Sequence, residues 1–274
     1  MRAPAALLLA LLALPVVATG QASSPPSPSR SAPRPADTPE PARVDPEKDF
    51  AAAERAAAAR DWAAALPRFE AAVAADPDSR RYASEYRMAA IAAKDYDRAI
   101  ACFERLVAAH PGSANAVLNW GYAYVDKIPA AGSITQVILA NTAVGLFTRA
   151  LELERSWLAL FTRGNSYLYW PKIFGRTPLG VADLEAAVKL SQAAPPRPYH
   201  VRAYVALGDG YWKLDELDRA KATWATGAHL FPDNEPLKLR LAKQGDELKE
   251  LIEGDLDPNK RVDTDLRSIW GDKP

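Results

Sequence analysis

The sequence predicts an all-α fold, a right-handed solenoid of about five helix-turn-helix units closed by a C-terminal capping helix. Three observations support this prediction: a spacing of 34 residues between equivalent positions, small residues where paired helices cross, and prolines that end the second helix of a unit. Alanine is the strongest helix former, and it supplies 54 of the 274 residues. Because a single helical pair buries too little surface to be stable, such units must stack.

The repeat is visible in matching residue types 34 positions apart: Ala65, Phe69 and Pro77, then Ala99, Phe103 and Pro111. Further along, Gly121 and Gly208 provide the small residue that lets two helices cross closely. Tyr124 and Tyr211 follow three residues later, on the same side of the helix. Each closing proline ends a helix because it cannot continue the hydrogen-bond ladder.

The fifth unit has the most complete pattern: Tyr204, Leu207, Gly208, Tyr211, Ala220, Trp224 and Pro232. These residues resemble the tetratricopeptide repeat, a helix-turn-helix unit that stacks into a solenoid. The resemblance spans residues 46–234 and divides them into units 46–79, 80–113, 114–156, 157–196 and 201–234. Residues 235–274 follow as a capping helix, interrupted at Gly245, and a tail.

The N-terminus has the layout of a secretory signal. Arg2 precedes a thirteen-residue apolar run, Ala5 to Val17, and small residues continue to Ala22. Residues 1–22 are therefore predicted to be a cleaved signal peptide, which makes the mature protein periplasmic or secreted. The alternative is an inner-membrane protein anchored by an uncleaved N-terminal helix, although thirteen apolar residues are few for a span. Residues 23–45, rich in Pro, Ser and Ala, are predicted to be a disordered linker.

Composition and motifs argue against several classes of function. The 34 basic and 34 acidic residues cancel, whereas nucleic-acid-binding proteins have a basic surplus, so no nucleic-acid partner is expected. Cys102 is the single cysteine, and it is predicted to be a packing residue. Three scattered histidines and the lack of a phosphate loop or nucleophile elbow predict no metal, no cofactor and no enzyme. A hydrolase would need a carboxylate or nucleophile beside His200 or His229.

Units three and four are longer than the repeat requires. The step from Gly121 to Ala143 has ten extra residues relative to unit five, and unit four has four extra. Such insertions map to one edge of a solenoid. We call this the inserted edge, and its apolar residues are Ile134, Ile138, Trp170, Ile173 and Phe174. A patch of this kind predicts a contact surface. The alternatives are that the insertions pack on each other or lengthen the second helix.

The stretch from Trp170 to Gly175 is also similar to an aromatic-Phe-Gly insertion in the tetratricopeptide component associated with tripartite periplasmic transporters. More generally, the repeat resemblance implies a concave groove lined by the first helix of each unit. By position, the groove residues are Asn115, Asn119, Tyr122, Asp126, Phe161, Arg163, Asn165, Tyr169, Arg202, Asp209, Trp212 and Lys213. Aromatic rings and amides of this kind suit a protein or peptide ligand.

The sequence therefore predicts an exported scaffold that binds a protein or peptide partner through this groove, in the assembly or maintenance of a cell-envelope complex. No stable transmembrane segment is expected in the mature chain. The alternative is a periplasmic transport accessory that encloses a small solute beneath the inserted edge. A pocket closed by residues 134–139 and 170–174 would favour the alternative, and an open groove would favour the scaffold. Residues 261–270 either fold back on the solenoid or serve as a linear segment for a partner.

Overall fold

The computed structural model describes residues 45–260 and 262–270, which form thirteen α-helices and contain no strand. In chain order the helices are α1 Pro46–Ala58, α2 Trp62–Ala75, α3 Arg80–Ala93, α4 Tyr96–Ala109, α5 Ala114–Lys127, α6 Ser133–Leu153, α7 Trp157–Leu168, α8 Thr177–Gln192, α9 Val201–Lys213, α10 Leu217–Leu230, α11 Glu235–Ala242, α12 Gly245–Asp255 and α13 Arg267–Trp270. From α1 to α11, each helix packs on the next. The predicted all-α solenoid is confirmed.

The predicted signal peptide, residues 1–22, lies outside the described residues. So does the predicted linker, except for its last residue, Asp45. Asp45 is the N-cap of α1, where its carboxylate accepts a hydrogen bond from the backbone amide of Lys48. The described solenoid therefore begins where the proline-rich composition ends.

Helix boundaries follow from local chemistry. Ser79, Ser113 and Ser156 cap the first helices of units two, three and four, and each hydroxyl accepts a hydrogen bond from the backbone amide three residues later. Such a cap satisfies one of the amides that a helix start leaves without a partner. Pro77 and Pro111 lie in the turns that precede two of these serines. The sequence pattern therefore sets both where one helix ends and where the next begins.

The glycines of the repeat allow the close crossing of paired helices. A Cβ atom on Gly121 would overlap the ring of Phe147, and one on Gly208 would overlap the indole of Trp224. Both aromatic side chains are fully buried. A large residue on the second helix thus fills the space that a missing side chain leaves on the first.

The buried apolar residues form two clusters. The first extends from α1 to the start of α7, and the second extends from α7 to α12. Trp157 packs against both clusters and so connects them. Cys102 lies in the first cluster, where burial and then the charge of Glu70 raise the pKa of its thiol to about 11. A thiol in this setting acts as a small packing residue.

The first insertion is mainly helical. Helix α6 has 21 residues, whereas α10, its counterpart in unit five, has 14. By length and hydropathy alone, α6 is the one described helix that could cross a membrane. Core helices pass the same test, and the second half of α6 contributes Leu146, Phe147 and Ala150 to the core. The insertion therefore adds turns to a core helix, which was one of the alternatives for this segment.

Candidate functional site

The C-terminal segment, residues 262–270, folds back onto the first helices of the units. Leu266 is 2 % exposed and Ile269 is 8 % exposed, and both belong to the first core cluster. The backbone amide of Leu266 donates to the Ser84 hydroxyl on α3, and Arg267 forms two hydrogen bonds with Glu85 of α3, at 2.5 and 2.9 Å. We call the shared face of α3, α5, α7 and α9 the groove, and part of it is occupied by the chain itself.

Arg87 is the centre of these contacts, and its side chain is completely buried. Its guanidinium donates to Asn119 Oδ1 at 2.9 Å, to Asp126 Oδ2 at 2.8 Å and to the Thr264 carbonyl at 2.8 Å. The Thr264 hydroxyl donates to the other carboxylate oxygen of Asp126. Arg87 also lies over the ring of Tyr122, 4.6 Å from its centroid. One arginine therefore joins α3, α5 and the C-terminal segment.

Arg87 was absent from the residues predicted to line the groove, although the sequence contains a signal for it. It stands 34 residues before Gly121, at the position where other units have a glycine for the helix crossing. A long cation cannot fit at a close crossing, so it must point elsewhere. In the structure it points into the groove, and α3 and α4 pack less closely than the helices of the other units.

A cavity of about 310 Å³ lies beneath the inserted edge. Sites for small molecules span roughly 300–1,000 Å³, so this cavity is large enough for a compact ligand. Its wall combines predicted groove residues, inserted residues and the C-terminal segment, including Tyr122, Phe161, Asn165, Tyr169, Arg202, Val137, Trp170, Phe174, Val262, Asp263, Thr264 and Leu266. Three parts of the chain that are distant in sequence therefore line one partly open cavity.

Two tyrosines place polar atoms on this wall. The Tyr122 and Thr162 hydroxyls form a hydrogen bond of 2.5 Å, and Tyr169 lies on the same wall together with Asn165. Burial raises the pKa of Tyr122. Burial, followed by the charge of Asp255, raises the pKa of Tyr169 to about 12. Both phenols therefore keep their protons at neutral pH and can donate hydrogen bonds.

Comparison with known proteins identifies the architecture. Residues 56–119 match the family model of the tetratricopeptide repeat. A thermophilic tetratricopeptide-repeat protein of Thermus thermophilus is similar in structure, with a TM-score of 0.52 at 20 % identity, over 72 % of this chain and 97 % of that chain. The fold is a tetratricopeptide-repeat solenoid. Comparison with curated proteins finds no match to the chain.

Two further solved structures are similar to this tetratricopeptide-repeat solenoid at lower scores. MamA has a TM-score of 0.47 at 16 % identity, over 73 % of this chain and 98 % of its own. YrrB, described as a tetratricopeptide-repeat protein with an unusual peptide-binding site, has a TM-score of 0.46 at 16 % identity, over 71 % of this chain and 90 % of its own. These two likenesses are weaker than that to the Thermus protein.

At the inserted edge of the solenoid, the two insertions meet and still leave apolar surface in solvent. Arg176 donates to Asn141 Oδ1 at 2.8 Å, which joins the second insertion to α6. Trp170 is only 7 % exposed, and it packs edge-on to Phe174 and under Arg176. In contrast, Ile134 is 81 % exposed and Ile173 is 90 % exposed, and Ile138 and Phe174 are also exposed. Trp170 therefore differs from the other inserted residues, because it is part of the packing.

Several predicted groove residues hold neighbouring helices of the solenoid together. Asn115 donates to the Pro77 carbonyl at 2.9 Å, and Arg163 forms two hydrogen bonds with Asp183 of α8. Lys213 donates to the carbonyls of Leu168, at the end of α7, and of Trp170. Trp212 is half-buried against the second cluster.

Asp209 attaches the C-terminal cap, because it accepts two hydrogen bonds from Arg240, at 2.6 and 2.7 Å. Burial raises the pKa of Asp209, and Arg240 opposes the rise.

The histidines of the solenoid have surroundings that fit structural roles. His200 Nδ1 accepts a hydrogen bond from the Arg197 amide at 3.2 Å, and its ring packs against Trp157 and Tyr199. His229 lies exposed in the last turn of α10. Within the described ranges, no three His, Cys, Asp or Glu side chains are grouped closely enough to hold a metal ion.

Proposed function

We propose that the protein is an exported scaffold of a cell-envelope complex, and that it binds a protein or peptide partner in the groove. The main support is that residues 262–266, which belong to no helix or strand, already lie there and bond to Arg87, as a bound peptide would. A solenoid presents such a surface preformed, so binding requires little ordering of the receptor. Export is supported by the signal-like N-terminus and the proline-rich stretch that follows it.

The contacts of the C-terminal segment define the chemistry of the partner. The Arg87 guanidinium donates a hydrogen bond to a backbone carbonyl of the segment, and Leu266 and Ile269 are apolar anchors three residues apart. A partner with a non-helical stretch followed by two such anchors would make the same contacts. Because the segment is attached to the chain, its effective concentration is high, and the partner must displace it.

The first test measures this exchange with a fluorescein-labelled peptide of residues 258–274. The full chain is given two substitutions, Leu266→Asp and Ile269→Asp. This double variant should detach the C-terminal segment, because it places charges where two apolar anchors are buried. Fluorescence anisotropy should show that this variant binds the peptide at least about tenfold more tightly than the wild type, since the wild-type segment competes within the molecule. A peptide with the same two substitutions is the matched control. If the variant protein binds the two peptides equally, or does not bind the unsubstituted peptide, the groove assignment is contradicted.

The second test addresses export. When the full chain with a C-terminal affinity tag is expressed in a Gram-negative host, we expect it in the periplasmic fraction. N-terminal sequencing should give a first residue just after Ala18 or Ala22, since signal cleavage follows small residues. An intact N-terminus in the membrane fraction would instead support the anchored alternative, and a cytoplasmic product with Met1 would refute export.

The cavity supports a second candidate function, the enclosure of a small solute by a transport accessory. A pocket bounded by residues 134–139 and 170–174 was the observation expected to favour this function. The wall of the cavity contains Val137, Trp170 and Phe174 from these two segments. The scaffold and the enclosure share Tyr122, Thr264 and Leu266, which line the cavity and also belong to the contacts around Arg87. They differ in their ligands, a peptide for the scaffold and a small solute for the enclosure. The two candidates can therefore be tested separately.

A further inference from the structure

We propose that the cavity beneath the inserted edge binds a small apolar molecule with a single negative charge, such as an alkyl carboxylate. This inference rests on the second candidate function, since it assigns a ligand class to the enclosed space. It is carried by the apolar character of the wall, by the balance of charges on it and by the position of its opening.

The wall is mainly apolar, which favours an apolar ligand body. Helices α5, α6 and α7 contribute a continuous set of such side chains: Val125, Val137, Ala140, Ala143, Val144 and Phe161. Apolar surface that leaves water on binding contributes in proportion to its area. A sugar or another polyhydroxylated solute would lose its hydrogen bonds to water against these side chains without replacement.

The charges on the wall favour an anion. Among the described wall residues, Arg202 and Lys260 are cationic and Asp263 is anionic, which leaves one positive charge in excess. A ligand with one negative charge would neutralise the wall, whereas a cation would add to the excess. The Arg202 side chain is 29 % exposed, so its charge is screened less than a charge in open solvent.

Arg202 is the group best placed to receive the anion. Its contacts with the C-terminal segment are long, 3.3 Å to Asp263 Oδ2 and 3.5 Å to the Asp265 carbonyl. The Asp263 side chain is 66 % exposed, so water can solvate its carboxylate when it leaves. A ligand carboxylate could then form the paired, charge-assisted hydrogen bonds for which a guanidinium is shaped.

Part of the opening of the cavity is apolar, and the exposed Ser133, Lys260 and Asp263 form its polar part. Val137 and Phe174 line the cavity and are also exposed, so they mark its mouth. Ile134 and Ile138 lie next to Val137 along α6, and Ile173 precedes Phe174. These exposed residues continue the apolar wall outward, and an apolar ligand would enter across them.

The test uses isothermal titration of the full chain with decanoate, and with decanol as the uncharged analogue. We expect decanoate to bind at least about tenfold more tightly than decanol, because a charge-assisted hydrogen bond exceeds a neutral one by roughly this factor. Arg202→Gln should remove most of this preference and leave decanol binding unchanged. Equal affinity for the two probes in the wild type would overturn the assignment of an anionic ligand.

Asp263→Asn is the matched control for Arg202→Gln. Both substitutions weaken the contact between Arg202 and the C-terminal segment, but only Arg202→Gln removes a positive charge from the wall. Asp263→Asn should therefore keep or strengthen decanoate binding. If both variants lose decanoate to the same degree, the effect comes from loosening the segment, and Arg202 does not recognise the anion.

A second pair of variants locates the site. Ala140→Trp fills the cavity from α6, and Ile138→Trp adds the same bulk on the exposed side of the same helix. We expect only Ala140→Trp to abolish binding of decanoate and decanol. If Ala140→Trp abolishes the binding of both probes but the wild type binds decanoate no more tightly than decanol, the charge assignment is refuted and the site itself is retained. Absence of binding by both probes, or binding that survives Ala140→Trp, would overturn the enclosure itself.

Discussion

Replacing Arg87 with Met should lower the free energy of unfolding by about 3–5 kcal/mol, the usual effect of removing one partner of a buried ion pair. Arg87 and Asp126 are both almost inaccessible to solvent, so the substitution removes a buried cation that bonds to Asp126 Oδ2 at 2.8 Å. Asn119 and the Thr264 carbonyl would each lose a hydrogen bond in the same substitution. Chemical denaturation followed by circular dichroism measures the change.

Arg267→Met is the control for this prediction, since Arg267 makes two hydrogen bonds to Glu85 at an exposed position. Exposed pairs contribute about 0–1 kcal/mol, so this variant should be nearly as stable as the wild type. Limited trypsin digestion gives an independent readout: Arg87→Met should speed cleavage after Lys260, because the C-terminal segment loses its central contact. Equal destabilisation by the two variants would show that Arg87 is not the main attachment of the segment.

Gly208→Ala should destabilise the solenoid at the upper end of the roughly 1–3 kcal/mol that is typical of overpacking. The new Cβ atom would overlap the Trp224 indole. Trp224 has little freedom to move, because it is fully buried and its Nε1 donates to the Val205 carbonyl at 3.3 Å. Thermal and chemical unfolding measure the loss, and near-ultraviolet circular dichroism reports on displacement of the indole.

Gly145→Ala is the matched helical control. A Cβ atom at Gly145 of α6 meets open space, so only the intrinsic helix preference changes. Alanine is favoured over glycine inside a helix by about 1 kcal/mol, and we therefore expect a small stabilisation. If both glycine variants change stability in the same direction and by the same amount, close helix crossing is not the reason for glycine at residue 208.

Much of the solenoid is predictable from the sequence because its determinants are local or periodic. The 34-residue spacing of Phe69 and Phe103 places equivalent core positions, and Ser79 and Ser113 cap the helices that follow the prolines. The interruption of the cap at Gly245 was also predicted, and Gly245 has a positive φ of 51° at the start of α12. Each feature depends on residues within about one repeat of one another.

The candidate site was only partly predictable. The sequence placed Tyr122, Phe161 and Arg202 on the groove and located both insertions, and the structure brings these residues to one cavity. It did not indicate that Arg87 would be the centre of the contacts, or that Trp170 would be buried. Both outcomes depend on which distant segment lies opposite, and residue spacing carries no information about that.

The sequence by itself determined the repeat, the helix boundaries and the positions of the insertions, because periodic core residues, caps and prolines act over short distances. The tertiary structure alone decided that residues 262–270 occupy the groove and that a partly open cavity lies beneath the inserted edge. The hydrogen bond from Arg87 to Thr264 joins residues 177 positions apart. Such a contact forms only after the intervening helices have stacked, since the stacking brings α3, α5 and the end of the chain together.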